Sequence, residues 1–89
     1  MHKSLEDLRK EIDELDHQIL DILAKRFSVV KQVGDLKTVK NLPIVDEKRR
    51  EELLETLGQK AKQFGLSADF IKKLFKEIHD HAMEMQKRI

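Results

Sequence analysis

From Leu5 onward the chain repeats its apolar residues at alternating steps of three and four: Leu5, Leu8, Ile12, Leu15, Ile19, Ile22, Val29, Val33 and Leu36, with Arg26 the one charged residue among the ten slots. Such steps hold side chains on one stripe of an α-helix, because their mean lies close to the helical turn. Ser4 stands where an N-cap belongs, and Glu6 and Asp7 set negative charge at the positive end of the helix dipole. No proline intervenes before Pro43, so the pattern predicts one long helix over about residues 4–40. The stretch "KNLPIVDEK" ends it: Pro43 pushes Leu42 out of helical conformation, and Asp46 is placed to cap a second helix whose dipole Glu47 also favours. That helix, over about 46–64, carries Leu53, Leu54, Leu57, Ala61 and Phe64 on one stripe and stops before Gly65, a C′ glycine followed by apolar Leu66. Ser67 caps a third helix over about 67–88, with Ile71, Phe75, Ile78, Ala82, Met85 and Ile89 as its stripe. The prediction is all-α, three helices, one long and two shorter.

The first helix changes the picture of the whole molecule. About 36 residues of α-helix measure roughly 54 Å, more than a compact chain of 89 residues can cover. The two shorter helices cover part of its seam, and a two-fold partner presenting the same long helix covers the rest, so the expectation is one helical domain over 1–89 in an intertwined homodimer. Composition agrees: 39% of residues are charged and 39% apolar, with one Pro, three Gly and neither Trp nor Tyr, a balance suited to helical bundles. The 18 Lys and Arg are interspersed with 17 Asp and Glu, so no field of one sign invites nucleic acid or a membrane surface. No apolar run is long enough for a signal peptide or a membrane span, and there is no cysteine to form disulfides; a cytoplasmic setting is the default expectation.

Candidate chemistry begins with the charged slot. An arginine does not discharge itself by losing a proton, so burying Arg26 without compensation would cost several kcal/mol. It can snorkel, pair with a buried carboxylate, set the register of a coiled coil, or meet an anionic ligand. Lys37 lies eleven residues on, within about 20° of Arg26 around the helix and roughly 16 Å along it, which leaves room between the two heads for a small ligand rich in oxygen. Alone, Lys37 also reads as a solvated lysine favouring the helix C-terminus. Gln86 borders the third stripe, four residues after Ala82, and a buried amide there needs a partner. Asp46 and Arg50, four apart, continue the line toward Leu53, with Arg49 beside them; an N-cap with an exposed ion pair accounts for them equally well. Arg9 flanks the first stripe but lies about 25 Å from Arg26 along a rigid helix, so it can serve the same ligand only from the opposite chain of an antiparallel dimer.

Other chemistries find less support. His79 and His81 are two apart, on different faces of a helix, and His2 and His17 are scattered; the four read as surface histidines, and no metal site is expected. There is no glycine-rich phosphate loop and no serine or cysteine constellation for a nucleophile. The methionines of the third helix read as core filler.

Taken together, "LRKEIDELDHQILDILAKR" from Leu8 to Arg26, "VGDLK" ending at Lys37, "PIVDEKR" with Asp46 and Arg49, and "MEMQ" ending at Gln86 resemble, in order and spacing, the all-α class of chorismate mutases. The resemblance covers nearly the whole chain and is most specific in the first motif. It implies a helical homodimer that rearranges chorismate, a small dicarboxylate, to prephenate in one pericyclic step with no cofactor, metal or covalent intermediate. By this resemblance Arg26 and the opposite chain's Arg9 clamp the two carboxylates. Lys37 and Gln86 donate hydrogen bonds to the ether oxygen, and Asp46 and Arg49 orient the ring side. Two positions depart from the family pattern: Arg50 stands where a glutamate commonly accepts from the ring hydroxyl, and Ala82 where a serine is often found. Arg50 paired with Asp46 would be one compensation. Two further readings stay open: an isochorismate-pyruvate lyase on the same fold, and a non-catalytic helical dimer or regulatory module.

Overall fold

The structure is a computed structural model that describes residues 2–43 and 46–87. Helix α1 spans Leu5–Val39, α2 Glu47–Gln63 and α3 Ala68–Lys87, and no strand occurs among the described residues. Each start is capped as the sequence suggests. The Ser4 hydroxyl accepts from the Asp7 amide at 3.1 Å, an Asp46 carboxylate oxygen from the Arg49 amide at 3.0 Å, and the Ser67 hydroxyl from the Phe70 amide at 3.2 Å.

The two turns close by one device. After α2 the chain passes through Gly65 at φ +71°, and the Leu66 amide donates back to the Ala61 carbonyl at 2.8 Å, a Schellman closure that needs a left-handed residue. After α1 the same role falls to Asn41, at φ +55°, with the Leu42 amide donating to the Lys37 carbonyl at 2.8 Å. An asparagine tolerates this conformation better than other residues with a side chain. Asn41 therefore ends α1 ahead of Pro43.

Helices α2 and α3 form a hairpin that carries most of the packing. Gly58 and Ala61 of α2 and Ile71, His79 and Ala82 of α3 are buried, with Leu53, Leu54, Leu57, Phe75 and Ile78 half-buried around them. At Gly58 the Lys72 side chain of α3 lies over the α2 backbone: a Cβ there would lie 2.5 Å from its Cε, and its ammonium reaches Glu55 at 3.2 Å. The α2 stripe differs from expectation at its end. Phe64 is 78% exposed, because it is the C-cap residue, where the backbone leaves the helical path and the stripe loses its direction. Ile89, assigned to the α3 stripe, lies outside the described residues.

Only the C-terminal half of α1 meets this hairpin, and it meets α3: the rings of Phe27 and His81 pack edge to face with centroids 5.0 Å apart. Every residue from Leu5 to Ile22 is exposed, and the stripe residues Leu8, Ile12, Leu15, Ile19 and Ile22 keep between 44% and 63% of their surface open. The chain measures 59 × 25 × 15 Å with a radius of gyration of 16.8 Å, against about 12 Å for a compact chain of this length. Burial is worth roughly 25 cal/mol per Å², so a sequence that sustains this apolar stripe leaves most of its hydrophobic stabilisation unused within one chain. Among the described residues no helix is long and apolar enough to cross a membrane.

Candidate active site

Where the C-terminal half of α1, the start of α2 and the end of α3 converge, they enclose a cavity of about 160 Å³ that is open to solvent. Each helix supplies side chains at helical spacing. From α1 come Arg26, Val30 and Lys37; from α2 and its cap Asp46, Arg49, Arg50 and Leu53; from α3 His79, Ala82, Met83 and Gln86. The seven candidate residues expected from this chain therefore gather in one cavity. Arg9 does not line it; it is exposed on the N-terminal half of α1.

The walls are rich in cations. Arg26, Lys37, Arg49 and Arg50 face a single lining carboxylate, Asp46, one of whose oxygens is already held by the Arg49 amide. Arg26 is half-buried, its Nη1 is closed off from solvent, and that atom has no hydrogen-bond partner among the described residues. Burial pulls its pKa below the ordinary value, though an arginine remains charged at any ordinary pH. Among the described residues no carboxylate pairs with it, so its burial is uncompensated there. The Gln86 amide nitrogen donates to the Val30 carbonyl at 3.4 Å, a long bond that ties α3 to α1 and holds the amide at the cavity wall.

Two expectations need correction. Arg50 does not pair with Asp46. Its guanidinium donates to Asp80 of α3 at 2.6 Å and lies 3.8 Å from the Met83 sulfur, with 17% of the side chain exposed. Asp46 is turned toward the start of its own helix by its capping bond, whereas Arg50 projects across the hairpin and reaches the facing acid first. The second correction concerns His79, expected at the surface. It is only 9% exposed, lines the cavity, and both ring nitrogens are buried without a hydrogen-bond partner among the described residues. Its pKa is lowered from 6.5 by burial first, then by Arg26 and Arg50, against an opposing pull from Asp80 and with a further contribution from Arg49. The imidazole is thus held neutral. A signal for His79 was present in the sequence: it precedes Ala82 by three residues and Gln86 by seven, the spacing of one helix face. The other described histidines, His2, His17 and His81, are exposed. No group of three or more His, Asp or Glu among the described residues is arranged to hold a metal ion.

The fold is three helices with a cationic, partly apolar cavity at their junction. Comparison with known proteins assigns that fold to a family. Residues 8–87 match the family model for chorismate mutase type II. The chain is 30% identical over 88 residues to the chorismate mutase of Methanocaldococcus jannaschii, covering 99% of this chain and 89% of that one. It is 38% identical over 76 residues to the T-protein of Haemophilus influenzae, covering 85% of this chain but only 20% of the larger protein. Among solved structures, a chorismate mutase from Thermus thermophilus superposes with a TM-score of 0.88 at 35% identity, each chain covered over 97% of its length. The chain belongs to the chorismate mutase type II family, whose enzymes are isomerases.

Proposed function

We propose that this cavity converts chorismate to prephenate, and that it is completed by a second copy of the chain. The observation that carries the reading is the clustering of Arg26, Lys37 and Gln86, cations and an amide donor, around a space walled on other sides by Val30, Leu53 and Met83, with no serine, threonine or tyrosine in the lining. The reaction needs no nucleophile: one carbon–oxygen bond of the enolpyruvyl ether breaks as one carbon–carbon bond forms, and the electrons stay within the substrate. What a protein can contribute is conformation and field.

Arg26, with Arg9 of the opposite copy, holds the two carboxylates so that the side chain folds over the ring, the geometry in which the new bond can form. Lys37 and Gln86 donate to the ether oxygen, where negative charge grows as its bond to carbon lengthens. Because that charge is greatest at the transition state, these donors bind it more tightly than the substrate. Asp46 and Arg49 orient the ring side. The half-open apolar stripe of α1 between Leu8 and Ile22 supports the dimer, since an antiparallel α1 would cover it and bring an Arg9 toward the cavity.

Incubation with chorismate, followed by product identification, tests the reading; prephenate is the expected product, and its absence overturns the proposal. Pyruvate and salicylate formed from isochorismate alone would identify a lyase instead. Lys37→Ala and Gln86→Ala should each lower kcat by about a hundredfold or more with helicity intact. Unchanged turnover in either variant would remove that residue from the mechanism.

A further inference from the structure

The buried side-chain nitrogens and oxygens without a partner, among the described residues, are three: Nη1 of Arg26 and Nδ1 and Nε2 of His79. All three belong to two residues of one cavity wall. Folded proteins pair nearly all such atoms, so their concentration at one place marks where a bound molecule belongs. The two residues ask for different things. Arg26 offers only donors and calls for an anionic oxygen. A neutral imidazole offers one donor and one acceptor; the cations of the lining supply donors only, and its other side-chain acceptors are the Gln86 carbonyl and the Asp46 carboxylate, one oxygen of which the Arg49 amide holds.

We infer that His79 is a substrate-binding residue, whose neutral imidazole accepts a hydrogen bond from the ring hydroxyl of the bound dicarboxylate. The inference rests on the reading of the substrate as chorismate, which carries that hydroxyl beside its two carboxylates. A carboxylate is a poor match for the acceptor nitrogen, because lone pair would meet lone pair; a hydroxyl has the proton to give. Arg26 from α1, Arg49 and Arg50 from α2 and Asp80 on its own helix set the charge around the ring, and Lys37 and Asp46 share the cavity. Burial and the three arginines disfavour protonation more than Asp80 favours it, which keeps the acceptor available. Protonation would turn His79 into another donor in a wall already full of them.

The experiment compares kcat/KM for chorismate and for a synthetic analogue whose ring hydroxyl is replaced by hydrogen. Three proteins are used: the unaltered chain, His79→Leu and His79→Gln. His79→Leu should lose about tenfold on chorismate and less than twofold on the deoxy analogue, since the lost bond exists only with the hydroxyl. His79→Gln, which restores an acceptor, should recover part of the loss. The chorismate kcat/KM of the unaltered chain should also fall as the solution is acidified below the ordinary histidine range, and this limb should be missing in His79→Leu. Equal losses on both substrates, no loss on either, or a rise in kcat/KM on acidification would overturn the assignment. So would a hydroxyl-dependent loss in Asp46→Asn with none in His79→Leu. If the unaltered chain forms no prephenate, the functional reading fails and this inference with it. Prephenate formation with a hydroxyl-independent His79 refutes the inference alone.

Discussion

Replacing His79 by leucine should stabilise the ligand-free protein even as it weakens catalysis. The imidazole is 9% exposed, and each of its nitrogens has given up water without gaining a partner. An unsatisfied buried polar atom costs about 1–3 kcal/mol, and leucine removes both such atoms while keeping a similar volume. What is lost is the edge-to-face contact with Phe75, whose centroid lies 6.4 Å away, near the outer limit for such pairs and worth about 0.5 kcal/mol. The net expectation is a gain of about 2–5 kcal/mol. At roughly 4–8 °C per kcal/mol for a chain of this size, Tm should rise by about 8 °C or more. Thermal unfolding followed by far-ultraviolet circular dichroism near pH 8 measures it, at one fixed protein concentration because association of copies also moves Tm. The pH dependence gives a second reading. His79 binds its proton less readily when folded than its ordinary value of 6.5, so below 6.5 the unfolded state takes up more protons. Stability should therefore fall as pH drops from 6.5 toward the folded-state pKa, level off below it, and show no contribution from this residue above 6.5. That sloping segment should be absent in His79→Leu. A Tm lowered by several degrees, or an unaltered slope, would refute the argument that His79 is buried at a cost.

Two other outcomes follow from the same geometry. Chains carrying Arg9→Ala and chains carrying Arg26→Ala should each be nearly inactive, while an unfolded and refolded mixture should regain measurable prephenate formation from heterodimers with one intact site; no recovery would argue against a site shared between copies. Gly65→Ala forces a Cβ onto a residue at φ +71° and should cost about 1–2 kcal/mol in denaturant unfolding, although no atom stands within 4 Å of the added methyl.

What the sequence determined by itself was everything set within a few residues of itself. Ser4, Asp46, Ser67 and Gly65 start or stop helices by bonds to neighbours three to five residues away, so their roles follow from order alone. The eleven-residue interval between Arg26 and Lys37 likewise sets their common face wherever the helix lies, and the motifs that resemble the family single out Asp46, Arg49 and Gln86 by order and spacing. Asn41 belongs to the same local class; its left-handed turn was masked by the stronger signal of Pro43 two residues on.

The tertiary structure decided which of two adjacent directions on a helix becomes interior. His79 and His81 differ by about 200° around α3; the spacing to Ala82 and Gln86 groups His79 with their face, but the helix alone does not say that this face is the one that closes against another helix. The crossing of α1 over α3 settles it, burying His79 at the junction and laying His81 against Phe27 while leaving it exposed. Arg50 could reach Asp46 on its own helix or Asp80 across the hairpin, and the separation of α2 from α3 selected Asp80. Local sequence specifies the angle of each side chain about its own axis, but burial and partnership depend on how the axes are placed against one another, and that is fixed only when distant segments pack.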